Sequence, residues 1–134
     1  MDLIKLNGLT INLHLTNLCD MKCIGCYAGF VGRKSLCLDQ WLKVIENVRN
    51  DLHFIPNLKF NFVGGEPFLY PELFQLIKHA KELNCTTSIV TNGFKLFHGF
   101  DQINLSHIDW IGISIDSLIP QTNKTLGRLT VSAS

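Results

Sequence analysis

Two hydrophobic rhythms take turns along this chain, and that alternation restricts the folds open to it more than any other feature. Short runs with strand character occupy residues 9–15 (LTINLHL), 58–63 (LKFNFV), 86–91 (TTSIVT) and 109–115 (DWIGISI). The first alternates apolar and polar residues, as a half-buried strand does. The stretches between them carry helical spacing. Trp41, Leu42, Val44, Ile45, Val48 and Leu52 form one apolar stripe over residues 39–52, with Asp39 the expected N-cap. Leu73, Leu76, Ile77, Ala80 and Leu83 form another, in a helix expected to open at Pro71, where a missing N–H costs nothing. Strand, helix, strand, helix, strand, a shorter crossover and a fourth strand predict repeated βαβ units. The fold class is therefore α/β with a parallel sheet.

A chain of 134 residues and 15.1 kDa suits one domain. Hydrophobic residues make up 46% and charged residues 17%, which is enough apolar mass for a core and unlike a disordered chain. A formal net charge of +1 argues against a nucleic-acid partner bound by broad electrostatics. No apolar run approaches the ~18 residues of a membrane span. The first residues, MDLIKLNGLTINLHL, lack the basic and apolar regions of a signal peptide, so a cytoplasmic location is expected.

Parallel sheets present reactive groups at the C-terminal ends of their strands. Four loops fall there. Residues 16–38 follow the first strand as a long loop holding Cys19, Cys23 and Cys26, with Gly25, Gly29 and Gly32. Gly64-Gly65-Glu66-Pro67 follows the second strand, and Thr91-Asn92-Gly93 the third. Ser114-Ile115-Asp116 ends the fourth.

The chain has five cysteines, an odd number without an export signal, which speaks against a disulfide scaffold. Cys19, Cys23 and Cys26 are spaced C-x3-C-x2-C. Structural zinc wants four protein ligands, and the ferredoxin runs a fourth cysteine. A cubane cluster held by three leaves one iron open, as catalysis requires. Two plainer readings stand beside it: zinc completed by Cys37, His14 or His53, or three reduced thiols without metal. Cys85 and Cys37 are expected to be ordinary buried cysteines. The other loops also have plain readings. Gly64-Gly65 and Asn92-Gly93 suit simple turns, while Glu66, Ser114, Asp116, Arg128 and Lys59 suit surface polar groups.

The trio followed by Tyr27 resembles the signature of the radical S-adenosylmethionine (SAM) superfamily. That resemblance implies a partial parallel (β/α) barrel. It implies a [4Fe-4S] cluster on Cys19, Cys23 and Cys26, with the amino and carboxylate groups of SAM on the fourth iron. Gly64, Gly65 and Glu66 would meet the SAM ammonium. Ser114 and Asp116 would face its ribose or carboxylate, and Arg128 its carboxylate. Tyr27 and Asn92 would lie on the cofactor side. One-electron reduction by a flavodoxin- or ferredoxin-like donor would yield a 5′-deoxyadenosyl radical.

Four phrases narrow the resemblance: Asn12-Leu13-His14-Leu15-Thr16, Lys59 to Pro67, Ser88 to Gly93, and Ile111 to Ser117 running on to Asn123, Gly127 and Arg128. Together they resemble viperin and its prokaryotic relatives, the SAM-dependent nucleotide dehydratases. The implied substrate is a ribonucleoside triphosphate, converted to its 3′-deoxy-3′,4′-didehydro form in antiviral defence. Asn12, His14, Lys59 and Asn61 would lie near it.

Two departures stand out. Val63 occupies a place where many relatives carry Ser. A six-unit barrel at roughly 30 residues per unit needs about 190, whereas this chain offers four strands. The expectation is that residues 1–134 are the N-terminal, incomplete portion of a radical SAM core, truncated after about four strands. Residues 129–134 (LTVSAS) would be an atypical tail. Strand four would then show an unpaired edge, and the chain alone would be partly or wholly inactive. The competing functions are another radical SAM activity, peptide-modifying or activating, and a non-catalytic cluster- or zinc-binding module.

Overall fold

A computed structural model describes residues 6–26, 34–98 and 105–128. Four strands, β1 (Gly8–His14), β2 (Asn57–Val63), β3 (Thr86–Thr91) and β4 (Trp110–Ile113), form one sheet in the order β1-β2-β3-β4, every pair parallel. The helices are α1 (Leu38–Asp51), α2 (Leu73–Glu82), α3 (Phe94–His98) and α4 (Pro120–Thr125), with a 3-10 turn at Pro67–Leu69. This is the parallel α/β arrangement expected of a partial barrel. Tyr27 and the tail 129–134 lie outside the described residues.

Strand alternation builds the core. Leu13 of β1, Leu58, Phe60 and Phe62 of β2 and Ile89 of β3 turn to one face. There they meet Trp41 and Ile45 of α1 and Leu73, Leu76, Ile77 and Ala80 of α2. Phe60, Phe62 and Ile45 are wholly buried. Burying side chains of this size is worth about 1.5–3 kcal/mol each, so this layer supplies most of the driving force.

The other face is polar. Asn12, Asn61 and Ser88 stand level on neighbouring strands. The Asn61 amide donates to Asn12 Oδ1 at 2.9 Å, and the Ser88 hydroxyl donates to Asn61 Oδ1 at 2.8 Å. Lys59 lies on the same face, level with Thr10 and Thr86.

Three local expectations need correction. The cap of α1 is Cys37, not Asp39. Its carbonyl accepts from Trp41 N–H at 3.1 Å, and its N–H donates to Gln40 Oε1 at 3.1 Å. That position also leaves Cys37 exposed rather than buried, while Cys85 is buried as expected. Finally, α2 opens at Leu73 and not at Pro71. Leu73 N–H bonds the Tyr70 carbonyl, and the first full helical turn closes from Leu76 to Glu72. The proline at a first-turn position is Pro67, in the 3-10 turn.

β4 is attached differently. All four of its residues are exposed. Just before it, Asp109 accepts from Thr87 N–H at 2.7 Å and from Lys81 Nζ at 2.9 Å, and Asp109 N–H donates to the Thr87 carbonyl at 3.1 Å. Burial alone would raise the Asp109 pKa. The Thr87 N–H and the Lys81 ammonium outweigh it and hold the carboxyl below its ordinary value.

Candidate active site

The rim begins with an interlock of the first two loops. Gly65 N–H donates to the Thr16 carbonyl and Glu66 N–H to the Leu18 carbonyl, both at 2.7 Å. A side chain on Gly65 would strike the Leu18 carbonyl. At Gly64, φ is +141° and a Cβ would come within 2.5 Å of the Thr16 oxygen. Only glycine permits this approach of two backbones.

Glu66 then ties the second loop to the third. It is fully buried. One carboxylate oxygen accepts from Thr91 Oγ1 at 2.8 Å and Phe68 N–H at 3.2 Å, and the other from Asn92 N–H at 2.8 Å. Burial pushes its pKa up, against the pull of the Asn92, Thr91 and Phe68 hydrogen bonds. Asn92, so held, reaches back to the cysteine loop. Its amide donates to Asp20 Oδ1 at 2.6 Å and to Cys19 Sγ at 3.7 Å. Met21 N–H also donates to Cys19 Sγ, at 3.4 Å. Burial raises the Cys19 pKa, and these two donors counter it. The other oxygen of Asp20 is buried without a partner.

Where the four loops meet is a cavity of about 370 Å³. Cys19, Cys23 and Cys26 line it together with Asn12, His14, Met21, Val63, Gly64, Gly65, Val90, Thr91, Asn92, Ser114 and Arg128. The structure thus brings ten of the sequence-derived residues to one wall. Glu66 is buried behind it, and Asp116, Lys59 and Asn61 are not part of the lining. Asp116 is engaged by Arg128 Nε instead, and Arg128 Nη1 donates to the Ser114 carbonyl at 3.1 Å. Met21, Asp20 and Val90 were not anticipated. Sequence offered no signal for them beyond their places beside Cys19 and at the end of β3.

All three thiols are free. Among the described residues no three His, Cys, Asp or Glu side chains stand close enough together to hold a metal ion as placed. The donor set nevertheless fits an iron–sulfur cluster. Three soft ligands face one cavity, N–H groups are aimed at one of the sulfurs, and a guanidinium lies on the wall. Of the alternative zinc ligands, His14 lines the cavity, whereas Cys37 and His53 do not. No helix among the described residues is long and apolar enough to cross a membrane.

Comparison with known proteins agrees with this geometry. The model of the Radical SAM superfamily matches residues 13–132. An S-adenosylmethionine-dependent nucleotide dehydratase of Flammeovirga pacifica is 42% identical over 130 residues, covering 92% of this chain and 43% of that protein. Another, from Lacinutrix mariniflava, is 40% identical over 126 residues, covering 89% and 26% respectively. The chain therefore spans less than half the length of these relatives. The crystal structure of Streptococcus suis SuiB bound to precursor peptide SuiA matches with a TM-score of 0.68 at 21% identity, over 90% of this chain and 27% of that one. At that identity the likeness speaks for the fold alone.

Proposed function

The chain belongs to the radical SAM superfamily, and on that premise we propose that its cavity holds a [4Fe-4S] cluster and SAM for the conversion of a ribonucleoside triphosphate to its 3′-deoxy-3′,4′-didehydro form. In the net change the C4′ hydrogen atom would end in 5′-deoxyadenosine, the 3′ hydroxyl would leave as water with a proton from solvent, and a second electron from the external donor would complete the C3′–C4′ double bond. A chain-terminating product of this kind suits antiviral defence. The observation that carries the reading is the shared wall: Cys19, Cys23 and Cys26 face the same space as Gly64, Gly65, Asn92, Ser114 and Arg128. The names of the two bacterial relatives support the nucleotide as substrate.

When bound, the cluster and SAM supply a 5′-deoxyadenosyl radical by one-electron cleavage of the sulfonium, the electron coming from an external flavodoxin- or ferredoxin-like donor. Everything else falls to the chain. The three cysteines act as thiolate ligands. The Asn92 amide and Met21 N–H, both directed at Cys19 Sγ, favour its thiolate. Gly64 and Gly65 leave room for a ligand to lie against bare backbone. Glu66 fixes Asn92 through Oε2, which accepts the Asn92 N–H and keeps acceptor capacity for the SAM ammonium. Arg128 gives the wall a positive charge suited to a carboxylate. On the polar face of the sheet, Asn12 and His14 border the cavity. Asn61 and Lys59 extend that face away from it, where Lys59 suits a triphosphate.

The reading is tested by anaerobic reconstitution with iron and sulfide, followed by SAM, a chemical reductant and each nucleoside triphosphate in turn. The expected result is a brown chain that binds SAM. Because the chain spans less than half the length of these relatives, release of 5′-deoxyadenosine is expected to be partial at most, stimulated by one nucleotide rather than by peptides, with any nucleotide product lighter by one water. Alanine at any one of Cys19, Cys23 or Cys26 is expected to abolish both colour and cleavage. A colourless chain with stoichiometric zinc would refute the enzyme reading. Stimulation by peptides alone would refute the substrate.

A further inference from the structure

The cysteine loop is held from an unexpected quarter. Lys22 N–H donates to the Gly127 carbonyl and Ile24 N–H to the Leu126 carbonyl, both at 3.0 Å. Arg128 Nη1 meets Met21 Sδ at 3.8 Å. Three consecutive residues after α4 thus grip Met21, Lys22 and Ile24, all of which lie between Cys19 and Cys26. The gripping segment is itself fixed. Leu126 N–H bonds the Thr122 carbonyl at 2.9 Å, Gly127 N–H that of Lys124 at 3.1 Å, and Arg128 N–H that of Asn123 at 2.9 Å.

Gly127 is the point of closest approach. Its φ is +79°, the usual state of a glycine that ends a helix. A helix end by itself, however, needs no contact with another loop. Here a Cβ would strike the Lys22 carbonyl oxygen, lie 2.8 Å from the carbonyl carbon, and lie 3.4 Å from Cys23 Cα.

We propose that Leu126, Gly127 and Arg128 form a backbone brace that sets the shape of the cysteine loop before any metal arrives, which makes Gly127 a positioning residue for the cluster. This rests on the reading that the trio holds a cluster. The physical reason is preorganisation. Loop residues already fixed in the metal-free chain need not be ordered when the ligands close on iron, so affinity is higher.

Two substitutions in the full chain separate the brace from the helix end. Gly127→Ala disfavours the positive φ and adds the clashing Cβ. Gly127→Asn tolerates the positive φ and keeps the clash. Gly112→Ala is the control, because its Cβ meets only ordinary contacts, at 3.4 Å from Val90 Cγ2 and 3.7 Å from the Ile89 oxygen. The readouts are iron bound per chain, circular dichroism, and alkylation rates of individual cysteines in the metal-free protein. Both Gly127 variants are expected to lose about tenfold or more in iron affinity. Their Cys23 should alkylate faster than in the parent, while Cys85 stays protected and the control matches the parent. Parent-like iron uptake and alkylation in Gly127→Asn would overturn the proposal, leaving only a helix end. Exposure of Cys85 in both variants would also overturn it, because the glycine would then serve the whole fold. A parent chain that takes up no iron would sink the cluster reading instead, and alkylation of the metal-free chains would still decide the brace.

Discussion

Strands β1 to β3 and strand β4 belong to one sheet but are held by different forces. Among the described residues, every buried hydrophobic side chain lies between Leu13 and Ile89. β4 exposes each of its residues, and α4 buries none. The first region rests on apolar burial. The second has one apolar anchor, the partly buried Ile108 against the core, and otherwise rests on the β3–β4 ladder, the Lys81–Asp109–Thr87 contacts, the Arg128–Asp116 pair and the backbone bonds to the cysteine loop. The cavity straddles both. Its cysteine and glycine walls sit on the apolar-anchored side, while Ser114 and Arg128 sit on the polar-anchored side. Salt and acid, which weaken charged contacts more than apolar ones, therefore act first on the wall formed by Ser114 and Arg128.

The sharpest way to break this contrast is a pair of truncations. Phe60→Ala, at a fully buried site, should cost about 3–5 kcal/mol in chemical denaturation. Ile113→Ala, at a position 42% exposed, should cost less than about 1 kcal/mol. Equal losses would erase the distinction. Next comes Glu66→Ala, which strands the Thr91 hydroxyl and the Asn92 and Phe68 N–H groups in a buried place. A loss of about 3 kcal/mol is expected, together with faster hydrogen exchange at Asn92. An unchanged midpoint would show that the rim does not depend on this carboxylate. Asp109→Asn is milder, because the group is partly exposed. A cost of about 1 kcal/mol should appear as several-fold faster exchange of β4 amides while β2 amides stay as they were.

The smallest effect is a pH dependence with a definite sign. The folded chain holds the Asp109 carboxyl below its ordinary value, so it binds that proton less tightly than the unfolded chain. The stability this contributes is complete above the unfolded value and disappears as pH falls through the folded one, which places the loss below about pH 4. Exchange at β4 should accelerate in that window, and Asp109→Asn should flatten the change. Glu66 has the opposite sign. Its raised folded value means that its ionised form is a cost above that value, relieved on acidification.

Much of the fold is legible because strand periodicity is strong: the pattern predicts residues 86–91 as a strand with its observed ends, and β2 with one residue too few, lacking Asn57. Helix starts are less so. Asp39 and Pro71 both have the right chemistry for a first turn, but the choice between neighbouring positions was made by Gln40 reaching back to Cys37 and by the turn at Tyr70. At the site, the cysteine spacing and Gly64-Gly65 announced themselves, because few structures need those residues in that order. The fate of Glu66 did not. A carboxylate beside two glycines looks like a ligand group, and only the closing of Thr91 and Asn92 over it turns it inward. Nor does spacing along the chain reveal that Gly127 lies against Lys22, since that contact is made by backbone.

The brace also bears on the order in which the protein is made. Cys19, Cys23 and Cys26 leave the ribosome well before Gly127, and at about 5–20 residues per second the interval lasts several seconds or more. Throughout it the thiols are present without the segment that shapes their loop. With the brace proposed above, the loop would take its shape only after residue 128 has been made and has folded back on Lys22 and Ile24, so iron bound by these thiols would be taken up by the folded chain rather than the nascent one.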